Sequence, residues 1–381
     1  MLPLDGIRVL DLTRLLPGAV ATMMLADLGA DVVKIEDPFG GDYSRWMQPR
    51  IGESSVFFNV NNRSKRSVIL NLKHADGPAT LRRLAARCDV LIESYRPATL
   101  NKFGCDYDSL RVVNPKLVFC GLSGWGADGP LAQQAGHDLN YVAVGGLTGA
   151  MQFPQPMGGQ IADMGGAYIA VAGILAALLR RERTGIGGFV DTSLAESALP
   201  FNIYNWTEAA TTGIQAGQGH LTGGLAYYRV YTAQDGVSVA LAALEEKFWR
   251  NFCAGVGRPD WLGFHGRPEV QSTLQSELSA MFATRTAAEW EALLGSADCC
   301  FTVIPPTSEA HNNTQFQSRG LLGLTADGQP FMRSPIRIDG ELPVLGAVPG
   351  YGEHTRSVLI DYGFSAEEIS NLIESACVKV G

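Results

Sequence analysis

Two residues in this sequence combine proton-handling side chains with positions that suit chemistry. His137, in GHDLNY, and Asp163, in IADMGGAY, each stand just ahead of a small-residue or apolar segment. A histidine and a carboxylate on opposite sides of one carbon suffice for two-base transfer, one removing a proton and the other returning one. Simpler readings stand beside this one. Asp163 also fits a helix N-cap, and His137 an ordinary histidine with a structural partner. Gly165 and Gly166 favour the chemical reading. They let a ligand approach backbone amides at a helix start, where a developing anion is stabilised.

The elements that must position these groups follow from the flanking pattern. The acid at 163, the apolar run from Tyr168 to Leu179, the basic Arg180-Arg181-Glu182-Arg183 and Gly185 describe a helix. Its acid stands at the N-terminus, its cations in the last turn, and glycine is its stop. The apolar run falls short of the ~20 residues that span a bilayer, so no membrane partner is expected. Ile7–Leu12 and Asp31–Ile35 read as strands around a helix at Ala19–Leu28, a βαβ unit that calls for a parallel, Rossmann-like sheet. The turn after the first strand, Thr13–Gly18, contains no G-x-G-x-x-G, so no NAD is expected. GLSGWG at Gly121–Gly126 matches only in spacing, with no helix after it.

A basic cluster, Asn61-Asn62-Arg63-Ser64-Lys65-Arg66, leads into a strand ending at Leu72-Lys73. It reads either as a solvated face or as a phosphate-binding loop. A helix over 75–87 and a strand over 89–93 follow. Arg96 then lies at a strand's carboxyl end, where open α/β sheets bind ligands. After strand 117–121 and the helix beyond Asp191, the Gly/Thr/Gln-rich stretch 211–224 reads as a linker. Runs at 227–231 and 237–242 around Asp235-Gly236 form a hairpin. Helices near 246–255, 269–283 and 286–295 and a strand at Cys299–Ile304 complete a smaller α+β domain. The expected division is therefore 1–210 as a Rossmann-like domain, 211–224 as linker, 225–325 as the small domain and 326–381 returning to the first.

Composition sets outer limits. With 381 residues, 46% hydrophobic and 18% charged, the chain can bury a sizeable core. A net charge of −8 argues against nucleic acid as a partner, and an anionic ligand would need a local basic pocket. The seven cysteines show no metal-ligand spacing, so no metal is expected, and Cys299-Cys300 reads as packed inside a strand. Free thiols and a start, MLPLDGIRVLDL, without a signal-peptide pattern point to a cytoplasmic protein.

Nearly end to end, the chain resembles the family III CoA-transferases, and within them the α-methylacyl-CoA racemases. The resemblance is carried by GIRVLDLTRLLPGAVATMMLADLGADVVKIEDPFGGD, NRSKRSVILNLK, ESYRPATLNKFG, SGWGADGP, GHDLNYVAVGGL, IADMGGAY, ERTGIGGFVDTSLAE, ALEEKFWRNF and GYGEHT. It implies a large Rossmann-like domain built from both termini, a small domain, and a homodimer interlocked like rings. It implies an acyl-CoA substrate, with coenzyme A part of the substrate and no prosthetic group. An Asp at position 163 is common to the group: a nucleophile carrying an anhydride and CoA thioester in transferases, an acid–base group in racemases. His137 stands where the formyl-CoA transferase branch resembles a tyrosine-containing pattern, and Leu16 where that branch carries a glutamine. Glu245 matches the racemase glutamate that reaches the histidine from the partner subunit. With an acyl-CoA as substrate, Arg63, Lys65, Lys73 and Arg96 are the candidates for the nucleotide end of CoA, and Leu72 is expected among the residues that bind the rest of it. The resemblance assigns loop fixing or the pantetheine channel to Asp138, Asn140 and Tyr141, and the enolate oxygen to amides at Met164, Gly165 and Gly166. Ala98 and Ala226 depart from the family's usual Gly and Pro, and the Met151–Gln160 loop is short and Pro-rich. The expected activity is inversion of a 2-methyl-branched acyl-CoA; the alternative is CoA transfer between acids through Asp163.

Overall fold

A computed structural model describes residues 2–52, 54–326 and 328–381. Seven strands form the main sheet: β1 (Arg8–Leu12), β2 (Asp31–Glu36), β3 (Lys65–Leu70), β4 (Val90–Glu93), β5 (Val118–Ser123), β6 (Gly188–Ser193) and β7 (Val378–Lys379). Their spatial order is β7-β3-β2-β1-β4-β5-β6, all parallel except β7, which runs antiparallel beside β3. The central strands β1, β4 and β5 are mostly buried apolar runs because helices cover both faces of such a sheet, while the edge strand β6 is partly exposed. Leu10, Val33, Val68, Leu91 and Phe119 pack in one core with Val358, Leu359 and Tyr362 from the C-terminal segment.

Helix α1 spans Leu15–Asp27, starting four residues before the Ala19 expected from the sequence. Pro17 falls in its first turn, where a missing N–H costs no intrahelical bond. A Cβ on Gly18 would lie 2.2 Å from that of Thr13, so only glycine lets the chain leave β1 and turn this tightly into the helix. Helix α2 spans Asp138–Val144 and α3 spans Ile161–Thr184, with Gly185 in the left-handed conformation (φ 73°) as its stop. At 24 residues α3 is long and apolar enough, by length and composition, to cross a membrane, contrary to the short run read from the sequence. It contributes a buried face, Ala167, Ala170, Val171 and Ile174 among it, to this α/β unit.

The chain divides into one unit of Met1–Gly145, Gly158–Ala198 and Asn313–Gly381 and a second of Gly146–Met157 and Leu199–Asn312. This differs from the expected boundaries. Residues 211–224 are no free linker, since the Gly217 amide donates to the Ala150 carbonyl at 2.9 Å within the second unit. Residues 313–325 belong to the first. The second unit carries an antiparallel sheet of Tyr228–Thr232, Ser238–Ala242 and Phe301–Val303 over a core of Trp249, Phe252, Trp261, Phe282 and Trp290. The Cys299-Cys300 pair precedes its last strand instead of lying inside it: Cys299 is buried, Cys300 exposed, and all seven cysteines are free.

Candidate functional site

In an open parallel sheet, ligands bind outside the carboxyl ends of the strands where the strand order reverses. Here that point lies between β1 and β4, because the chain proceeds from β1 outward to β2 and β3 and only then to β4 on the other side. A cavity of about 340 Å³ opens there. It is lined by Arg14 and Leu15 after β1, by Ser94, Tyr95 and Arg96 after β4, and by His137, Tyr141 and Asp163. A second cavity, of about 780 Å³, lies outside the ends of β2 and β3 and is lined by Asp37, Phe39, Leu72, Lys73 and Lys102. Arg14, Tyr43 and Tyr95 line both, so the two adjoin.

The short helix α2 brings the histidine. His137 occupies its N-cap in extended conformation (φ −130°, ψ 173°), its amide donating to Asn140 Oδ1 at 3.0 Å, and the residue is exposed. Helix α3 brings the acid. Asp163 lies in its first turn, half-buried, with no capping role, since the helix begins at Ile161 and Gln160 is the cap. Burial pushes the Asp163 carboxyl up; the neighbouring Asp138 carboxylate adds to this, and His137 opposes it, leaving it at about 6. A carboxyl at that value populates both protonation states close to neutral pH, as a group that alternately takes and gives a proton requires. Tyr141 is buried beside it, with its ring 5.0 Å from that of Trp125; burial and then Asp163 push its hydroxyl up to about 12.

Several assignments made from the sequence are corrected. Amides at Met164, Gly165 and Gly166 do not face an enolate, because they lie inside α3: the Met164 amide already donates to Gln160 O at 3.0 Å. Gly166 instead allows close packing, since a Cβ there would fall 2.4 Å from Leu194 Cδ2. Of the two roles open to Asp138, the structure shows loop fixing: its Oδ1 accepts from the amides of Ala162 (2.8 Å) and Asp163 (3.0 Å).

The basic cluster is also reassigned. Arg63 is buried and forks onto both carboxylate oxygens of Asp27. Lys65 is buried, donating to Asp11 Oδ2 at 3.2 Å, Asn62 Oδ1 at 2.8 Å and the Ala19 carbonyl at 3.0 Å. Neither is free to meet a phosphate. Leu72 and Lys73 line the larger cavity and Arg96 the smaller. Arg14 and Lys102 add cations that the sequence reading missed; their signal was position, directly after a strand end and in the TLNKFG turn. Arg14 is held by Asp37 at 2.5 Å. Glu245 lies in the second unit, exposed, at the N-cap of α4 (Glu246–Gly255). No cluster of three or more metal-ligating side chains occurs among the described residues.

Residues 4–355 match the model of CoA-transferase family III. The chain belongs to that family. It is 32% identical to human alpha-methylacyl-CoA racemase over 396 residues, covering 99% of each chain. It is also 31% identical to the acetyl-CoA:oxalate CoA-transferase of Acetobacter aceti over 352 residues, covering 89% of this chain and 90% of that one. Among solved structures, a CAIB/BAIF family protein from Brucella suis matches with a TM-score of 0.81 and 29% identity, covering 95% of this chain and 99% of that one. This family III member therefore has both racemases and CoA-transferases among its relatives.

Proposed function

We propose that this protein inverts the α-carbon of 2-methyl-branched acyl-CoA thioesters by two-base proton transfer. The observation that carries the reading is one cavity at the sheet's switch point lined by both His137 and Asp163, with the Asp163 carboxyl raised to about 6. A thioester α-hydrogen is weakly acidic, so its removal needs a positioned base, and its return needs an acid on the opposite face. Asp163 takes the proton from one enantiomer while His137 delivers one, and the roles reverse for the other. Coenzyme A enters as part of the substrate, its acidic end in the larger cavity, where Lys73 and Lys102 supply positive charge while Arg14 is paired with Asp37.

By family resemblance, Glu245 of a second copy orients His137 and stabilises its cation, as a carboxylate does in other catalytic pairs. A homodimer also accounts for the helix Leu194–Thr212, whose Phe201, Ile203, Tyr204 and Trp206 are at least half exposed in the single chain. A cytoplasmic location fits the seven free thiols.

The transferase reading is favoured by relatives such as the oxalate enzyme, and would make Asp163 a nucleophile. Incubating the enzyme with a panel of 2-methylacyl-CoA esters in deuterated water separates the two. Deuterium at the α-carbon with no acceptor present supports the racemase. CoA passing to an added free acid, with no wash-in, contradicts it.

A further inference from the structure

Helix N-termini normally lower the proton affinity of a carboxyl in their first turn, because free amides and the helix dipole stabilise its anion. Asp163 stands in the first turn of α3, a 24-residue helix, yet two of the amides that would do this are already taken. The Ala162 and Asp163 N–H groups both donate to Asp138 Oδ1, at 2.8 and 3.0 Å. Asp138 opens the next helix in contact, α2, directly after His137. One carboxylate thus ties the element bearing the histidine to the element bearing the acid.

We propose that Asp138 is a positioning residue for Asp163: one of its carboxylate oxygens takes both first-turn amides and so fixes the helix start that carries the acid. With those amides taken and a second negative charge beside it, Asp163 holds its proton more readily. This deepens the racemase reading and rests on it for its catalytic meaning. Among the described residues, Asp138 is the carboxylate that acts on Asp163, from just behind the cavity wall. From α2 and its cap, His137 and Tyr141 also face Asp163. Arg14, Arg96 and the hydroxyls of Tyr43 and Tyr95 line the other walls. Helix α1 and strand β5 present only Leu15, Pro17, Leu122 and Ser123 to the cavity, none of them charged. Without Asp138, a carboxylate at 163 would meet two free amides and a helix dipole with no competitor. Its acid form would then be scarce at neutral pH, and it would return protons poorly.

The variant Asp138→Asn separates charge from geometry, since its amide oxygen still accepts both N–H bonds. The direct reading is a carbon-13 NMR titration of the Asp163 carboxyl in the ligand-free protein. The midpoint is expected to fall in Asp138→Asn by about one pH unit, the scale of a close charge–charge effect. The acid limb of the pH–rate profile for α-proton exchange moves the same way, with KM little changed. In the wild type, which avoids any question of folding, the Asp138 carboxyl resonance should move again as Asp163 titrates. An unmoved Asp163 midpoint in the variant, or an Asp138 resonance blind to Asp163, overturns the proposal. A midpoint that shifts in a protein that exchanges no α-proton upholds the coupling and overturns the racemase reading instead.

Discussion

Asp11 and Asp163 are both carboxylates withdrawn from water in the same unit, and they differ in what surrounds them. Asp11, next to last in β1, sits 3.2 Å from Lys65 and 3.8 Å from Lys34 and accepts from the hydroxyls of Thr13 (2.6 Å) and Thr22 (2.7 Å). Burial alone would raise its proton affinity, but the two lysines and two hydroxyls outweigh burial and hold it at about 2. Asp163 has an acid beside it and, among the described residues, no cation bonded to it, and it is held at about 6. The first is a saturated structural network, locked in one charge state across the working pH range. The second is left under-compensated, and such groups are where proton chemistry is found. Burial of a charge does not by itself mark a site; a shortfall in its compensation points to one where, as at Asp163, the group also lines a cavity beside a second proton-handling side chain.

The comparison breaks first at the structural end. Asp11→Ala leaves the buried Lys65 ammonium without its carboxylate and Lys34 with Asp42 alone, and should cost about 3–5 kcal/mol by denaturant titration. A loss below about 1 kcal/mol would mean that the network is not what holds β1 to its neighbours.

The two acids should also have opposite pH signatures. Asp11, with its folded value below the unfolded one, contributes stability that is present above about pH 4 and lost as pH falls toward 2. Asp163, with its folded value above the unfolded one, binds its proton more tightly when folded, so stability falls as pH rises from about 4 through 6. Asp163→Asn should therefore stabilise the protein by about 2–3 kcal/mol at pH 8 and by close to nothing at pH 4. Equal effects at the two pH values would remove the distinction drawn here.

The smallest expected effect concerns the cations. Lys73→Ala and Arg96→Ala should each weaken acyl-CoA binding by about 1 kcal/mol with unchanged stability, as for partly solvated ion contacts. Arg63→Ala should do the reverse, lowering stability through the stranded Asp27 while any loss of affinity follows from unfolding. Calorimetric binding at low and high salt alongside thermal melts separates the two classes. Arg63→Ala that melts normally but fails to bind would restore Arg63 to the site.

These contrasts show what was legible in the chain and what was not. The first βαβ unit, the strand ends carrying Arg14 and Arg96, and the stop at Gly185 follow from local patterns, apolar period and glycine punctuation, and the structure has them. The basic cluster misled because its partners are remote in sequence: Asp27 lies 36 residues before Arg63, and Asp11 lies 54 before Lys65. Composition reports a charge but not what it faces. The start of α3 was misplaced for the same reason. Asp138, 24 residues before Ala162, accepts from its first amides, so the helix begins ahead of the acid that resembled its cap. The division of the chain was missed where Gly146–Met157 leaves one unit for the other, a segment whose Pro-rich part reads only as a loop within the first domain.

The central claim, that His137 and Asp163 serve opposite faces of one α-carbon, has a direct test. Each enantiomer of a 2-methylacyl-CoA is incubated in deuterated water with His137→Ala and with Asp163→Ala, and both wash-in and inversion are measured. Two opposed bases predict that each variant loses inversion, by roughly the 10²–10⁴-fold that a positioned acid or base contributes. Each should keep some deuterium exchange from one enantiomer only, with opposite preferences. Loss of CoA transfer in Asp163→Ala, its retention in His137→Ala, and no wash-in from either enantiomer with the wild type would contradict the account.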